Sequence, residues 1–148
     1  MSPPTPRSYL LVDGHNVMHA WPDLRRHLQT AAKRYLAQQE LLQRLRHFQD
    51  MTGTQVVVVF DGTHAQRSEE REKDGLQIIY ADASSTADAI LERLAAKYAH
   101  QHPLRVVSAD GLVRDAILAC GAEWLSPEML LLLCADAEKD MRGRLENL

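Results

Sequence analysis

Four aspartates stand where chemistry is possible. Asp13 follows the apolar run 9–12, Asp61 follows the run 54–60 with its four consecutive valines, and Asp110 comes just after 104–107. Asp88 falls in the first turn of a helical pattern that opens near Ser85, and Asn16 lies one turn beyond Asp13. Each has an ordinary structural reading. Asp13-Gly14 and Asp61-Gly62 are turn dipeptides, Ser85-Thr86-Ala87-Asp88 fits a capping box, Asp110 suits a helix N-cap, and a loop Asn often bonds its own backbone. Their recurrence at the ends of apolar runs is less ordinary, because carboxylates gathered on one edge repel each other unless a cation offsets them. Hard oxygen ligands, without cysteine or a compact histidine set, suit Mg²⁺ or Mn²⁺. Such ions serve phosphodiester chemistry by activating a water and stabilising the departing oxygen, with Asn16 as a neutral amide able to position a water or phosphate.

The elements that must position these groups are readable from periodicity. Apolar runs at 9–12, 54–60, 76–80, 104–107 and 122–125 read as strands. The stretch 23–53 reads as helix, broken near Thr30, with Ala37, Leu41, Leu45 and Phe48 on one face. From Ser85 to about His100 the set Ala87, Ile90, Leu91, Leu94, Ala95 and Tyr98 forms a second helical stripe. A third helix spans 111–119 and closes at Gly121, and Ser126-Pro127 caps a last one running towards Arg142. Strands alternating with helices predict an α/β sandwich with a mainly parallel sheet. Right-handed crossovers then bring all strand carboxyl ends to one edge, where such sheets bind ligands. The charged segment 62–75, holding Arg67, Arg71 and Lys73 among four acids, reads as a solvated loop or short helix.

A chain of 148 residues with 45% hydrophobic and 25% charged residues fits one domain with a single core. Residues 1–8, with Pro3, Pro4 and Pro6, read as a disordered tail before a domain over 9–148. The longest apolar run, 129–135, is far short of the ~18 residues of a membrane span, and residues 1–7 lack a signal peptide's apolar block, so the expected location is cytoplasmic with no membrane partner. Cys120 and Cys134 read as small packing residues, not a redox or zinc pair. The net charge of −3 divides into +3 over residues 1–60 and −6 over 61–148, so a polyanion is met mainly by the first half.

Leu11-Val12-Asp13-Gly14-His15-Asn16, Val58-Val59-Phe60-Asp61-Gly62, Ser85-Thr86-Ala87-Asp88 with Ile90 and Glu92, and Val106-Val107-Ser108-Ala109-Asp110, in this order and spacing, resemble the YacP-like NYN domain family of the PIN-like nuclease superfamily. The resemblance covers nearly everything after Ser8. It implies a three-layer sandwich around a five-strand sheet in the order 3-2-1-4-5, and metal-dependent endoribonuclease activity. It also implies an acidic Mg²⁺ or Mn²⁺ site of Asp13, Asp61, Asp88 and Asp110 with Asn16, supported by Thr86 and Ser108. RNA is the implied partner, and turnover of messenger or ribosome-linked RNA would make the ribosome another. Three positions depart from the family pattern: Ser85 stands where a Glu is expected, Ser108-Ala109-Asp110 where Thr-Ser-Asp is, and His15 where Tyr is. Arg67, Arg71 and Lys73, beside Asp61 in the chain, are the first candidates for holding RNA, since carboxylates alone repel phosphate.

Competing readings have weaker support. A metal-free ribonuclease could use His15, His19 and His64 as acid and base. A receiver-like signalling module needs an adjacent acid pair after the first strand and a late lysine, yet Val12 precedes Asp13 and no Lys lies between Lys97 and Lys139. A phosphatase of the DxDx type fails at His15. The remaining alternative is an RNA- or ribosome-binding module of the same fold with weak or absent catalysis. Trp21 and Trp124 read as packing residues, and the cations between Arg25 and Arg46 as solvation or RNA steering in equal measure.

Overall fold

The computed structural model describes residues 7–64, 68–71, 75–82 and 84–148, with residues 63, 64, 68, 69 and 71 described by backbone alone. In chain order the elements are β1 (Tyr9–Asp13), α1 (Gly14–Ala20), α2 (Pro22–Arg25), α3 (Ala31–Thr52), β2 (Gln55–His64) and β3 (Ser68–Arg71). Then follow β4 (Gln77–Asp82), α4 (Ala87–Tyr98), β5 (Leu104–Val107), α5 (Gly111–Ala119), β6 (Glu123–Leu125) and α6 (Pro127–Glu146).

Consecutive valines require a strand covered on both faces, and β2 is one. Val56, Val58 and Phe60 enter one core, while Val57 and Val59 enter the other. β1 divides likewise, with Leu10 and Val12 on the first side and Leu11 on the second. α1, α2, α3 and α6 close the first core through residues such as Met18, Leu24, Leu41 and Leu130; α4 and α5 close the second through Ile90, Leu91, Val113 and Ile117. The result is three layers around a sheet ordered β3-β4-β2-β1-β5-β6. Its five parallel strands, β4-β2-β1-β5-β6, have the order 3-2-1-4-5 when numbered among themselves.

Two local expectations are corrected. The strand that was to end before Asp61 runs on through Asp61 and Gly62 to His64, with a register irregularity between Phe60 and His64. Gly62 is therefore a close-approach residue and not a turn: a Cβ there would lie 1.7 Å from the Ala81 carbonyl oxygen. Within the segment expected to be loop or short helix, β3 pairs antiparallel with β4 from Ser68 opposite Tyr80 to Arg71 opposite Gln77. A charge run lacks the alternation that marks a strand, yet pairing here satisfies the backbone groups along the edge of β4, and charged residues suit the new edge. Thr30 caps α3 by accepting from the Lys33 amide, at the predicted break. Trp21 is wholly buried and its Nε1 donates to the Pro127 carbonyl at 2.8 Å, joining α2 to α6. Arg7 and Ser8, just ahead of β1, bond Gln55 and Thr54.

Candidate active site

The parallel arrangement places the carboxyl ends of β1, β2, β4 and β5 on one edge, where α1, α4 and α5 begin. Asp13 is at once the last residue of β1 and the N-cap of α1, and its Oδ1 accepts from the Asn16 amide at 3.1 Å. It is only 2% exposed. Burial pushes its carboxyl up to about 7; the Asn16 amide pulls back, while Asp88, by hydrogen bond and charge, and then Asp61 add to the rise. Two of the other three predicted carboxylates, Asp88 and Asp61, therefore interact with the buried one.

Asp61 reaches the site from β2, and its Oδ1 accepts from the Ala87 amide at 2.7 Å, the first amide of α4. This contact fixes the start of the helix that carries Asp88. Thr86, the N-cap, accepts from the Ala89 amide at 3.1 Å, so its hydroxyl shapes the turn. Ser85, expected within the capping box, does not cap: its Oγ is buried and has no hydrogen-bond partner among the described residues. Asp110 is exposed and caps α5, accepting from the Leu112 amide at 2.8 Å.

Asn16 ties the two halves of the edge together. Its Oδ1 accepts from the Ala109 amide at 2.7 Å and lies 3.5 Å from Ser108 Oγ, which in turn accepts from the Asp110 amide at 3.1 Å. A backbone amide can only donate, so the oxygen of Asn16 must face the loop and its NH₂ is left for other work. An NH₂ group donates to water or phosphate oxygen and does not ligate a cation. His15 stands where the family pattern has Tyr and is a candidate acid or base. The structure adds that its Nε2 lies 3.3 Å from the Asp61 carbonyl oxygen and its ring meets Phe60 edge-on at 5.7 Å. Only the spatial meeting of β1 and β2 reveals this contact, since 46 residues separate the pair.

A family model described as the YacP-like NYN domain matches residues 10–148. The chain belongs to the YacP-like NYN domain family. It is similar to the uncharacterized protein YacP of Bacillus subtilis (strain 168), with 28% identity over 141 residues covering 94% of this chain and 82% of that one. The crystal structure of Rae1 (YacP) from Bacillus subtilis matches with TM-score 0.73 at 29% identity, covering 94% of this chain and 80% of that one. The crystal structure of a tryptophan-to-leucine mutant of it matches with TM-score 0.77 at 28% identity, covering 94% and 81%. A YacP-like NYN domain is a nuclease-like module, and the sheet order agrees with a PIN-like nuclease fold.

The donor set fits a hard divalent ion. A buried carboxyl with two acidic neighbours is relieved by a dication, and all the candidate ligands are oxygens. Among the described residues no three His, Cys, Asp or Glu side chains form a ready-made cage. An ion at Asp13 and its neighbours would thus keep several waters and take few carboxylates, which is the habit of Mg²⁺. Of the expected RNA-holding cations, Arg67 and Lys73 lie outside the described residues, as does the side chain of Arg71. No helix among the described residues is long and apolar enough to cross a membrane.

Proposed function

We propose that this YacP-like NYN domain is a metal-dependent endoribonuclease acting through Asp13, Asp61, Asp88 and Asp110. The observation carrying this reading is the buried Asp13, raised to about 7 beside Asp88 and Asp61 at the carboxyl edge of the parallel sheet. A carboxyl raised by burial and by two acidic neighbours, at the edge where parallel sheets bind ligands, is the pattern that marks functional sites. Mg²⁺ or Mn²⁺, when bound, supplies charge for a phosphate oxygen and activation of a water. The chain's own residues do the rest. Asp61 holds the start of α4 and so sets Asp88 against Asp13, while Asn16 holds the Ser108–Asp110 loop and offers its NH₂ to substrate or water. With water as the nucleophile, and not the 2′-hydroxyl, the products carry 5′-phosphate and 3′-hydroxyl ends. Arg67, Arg71 and Lys73 would hold the RNA backbone beside the acids, so changing all three to Ala should flatten the salt dependence of RNA binding while sparing metal affinity.

A second reading is a catalytically weak RNA- or ribosome-binding module of the same fold. It is favoured by one observation: Asp13, Asp61 and Asp110 each already accept a hydrogen bond from a backbone amide near a helix start. Incubation of mixed cellular RNA with Mg²⁺ or Mn²⁺, with and without EDTA, and analysis of the product ends separates the two. Metal-dependent cleavage supports the nuclease; binding without cleavage supports the module; 2′,3′-cyclic phosphates would move the chemistry to His15, His19 and His64.

A further inference from the structure

The opposite edge of the sheet carries a different kind of concavity. Tyr9, Gln55 and Leu104 open β1, β2 and β5 there, and the last turn of α4 stands above them. α4 seats Ile90, Leu91 and Ala95 on the sheet, but further along Leu94 and Tyr98 are half-buried and wall a cavity of about 560 Å³. That volume is typical of small-molecule sites. Leu11, Val57 and Ile79 lie at its base but are themselves almost wholly buried, so the apolar surface it offers comes from the half-buried Leu94, Tyr9 and Tyr98. Three rings also line it, Tyr9, Tyr98 and His102, with Tyr9 and His102 packed at 4.9 Å between centroids. The Nδ1 of His102 is shielded from solvent and has no hydrogen-bond partner among the described residues, so what His102 offers the cavity is its ring.

The charged groups lining this cavity are of one sign. Arg7 and Lys97 line it, and no Asp or Glu does among the described residues. Arg7 gives Nη1 to Gln55 Oε1 at 3.1 Å, which leaves other guanidinium donors for an anion. Lys97 stands over the Tyr98 ring at 5.2 Å. An inorganic anion would use the cations and leave the leucine and tyrosine walls wet. An alkyl chain would use the walls and leave the cations idle. A ligand with a flat aromatic body and a phosphate uses both.

We propose that this cavity binds a nucleotide, with the base against Leu94, Tyr9 and Tyr98 and the phosphate on Arg7 and Lys97. The site is separate from the carboxylate edge and does not rest on the nuclease reading. It shares two elements with that edge, however: β1 runs from Tyr9 to Asp13, and α4 from Asp88 to Lys97 and Tyr98.

Calorimetric titration of the full chain with AMP tests the proposal, with inorganic phosphate and a 5′-phosphorylated oligoribonucleotide as parallel arms. AMP should bind the wild type and Asp13→Asn equally. Arg7→Ala and Lys97→Ala, both surface changes whose folding is checked by thermal melting, should each weaken it about ten- to a hundredfold, the loss expected for a charge-assisted hydrogen bond. The His102 ring resonances should shift on AMP addition. If the oligonucleotide displaces AMP and depends on the same two cations, the nucleotide is an RNA end; if only AMP binds, it is a free nucleotide. Absence of AMP binding at millimolar concentration, AMP affinity unchanged in both variants, or phosphate binding as tightly as AMP would overturn the proposal.

Discussion

Asp13 is the residue on which the proposed chemistry turns, and its burial has a thermodynamic consequence. Its folded carboxyl titrates near 7, whereas the ordinary value is 3.8, so between these pH values the folded chain holds a proton that the unfolded chain has lost. The stability this gives is fully present below about pH 4 and is lost as pH rises through about 7, by up to a few kcal/mol. Asp13→Asn keeps the capping geometry without the charge. In EDTA, its urea midpoint should exceed that of the wild type by a margin that grows from pH 5 to pH 8; an equal margin at both would contradict the burial argument. Mn²⁺ at pH 8 should raise the melting temperature of the wild type and leave Asp13→Asn nearly unchanged. The identities of Asp13, Asp61, Asp88 and Asp110 were legible in the sequence because each follows an apolar run or opens a helix. Their relation was not: nothing in local pattern indicates that Asp61 bonds the Ala87 amide, 26 residues away, or that Asn16 spends its oxygen on the Ala109 loop.

Elements were legible where periodicity was strong. The two-sided strand β2, the broken helix before α3 and the Ser126-Pro127 start of α6 all follow from residue type and spacing. β3 was not legible, because Ser68 to Arg71 has no apolar alternation and is held by the edge of β4 rather than by its own preference. The close pairing of β2 with β4 gives a graded test with three glycines. Gly62→Ala drives a Cβ to 1.7 Å from a backbone oxygen, and Gly14→Ala drives one to 2.2 Å from the buried Phe60 ring, a side chain and not backbone; at Gly143, in α6, nothing lies within 4 Å. Gly62→Ala should therefore cost about 3 kcal/mol or more, Gly14→Ala less, and Gly143→Ala should stabilise by roughly 0.5–1 kcal/mol. Chemical denaturation gives the order directly; a harmless Gly62→Ala would refute the close approach. Asn16→Ala should free the Ser108–Asp110 loop at a cost of about 1–2 kcal/mol, with faster amide exchange at Ala109 as its local signature.

Across the whole molecule, one sheet carries two opposed edges. The carboxyl edge collects acids under the starts of α1, α4 and α5, and the amino edge holds Arg7 and Lys97 about a cavity. Strand order and layering were readable because parallel strands and right-handed crossovers leave few alternatives. The cavity was not, since it depends on where α4 stands relative to the sheet below Leu94 and Tyr98. Both cores depend on large buried groups, and Trp21→Ala, which empties a wholly buried site and breaks the bond to Pro127, should cost about 3–5 kcal/mol. The proposed cleavage of RNA by the acids of the carboxyl edge is tested by incubating a labelled single-stranded RNA in Mn²⁺ with the wild type, Asp13→Asn and Asp110→Asn, with an EDTA control and the product ends identified. Wild type should give 5′-phosphate products, the folded variants should be slower by orders of magnitude, and EDTA should abolish cleavage. Cleavage that survives EDTA or Asp13→Asn would refute the nuclease assignment.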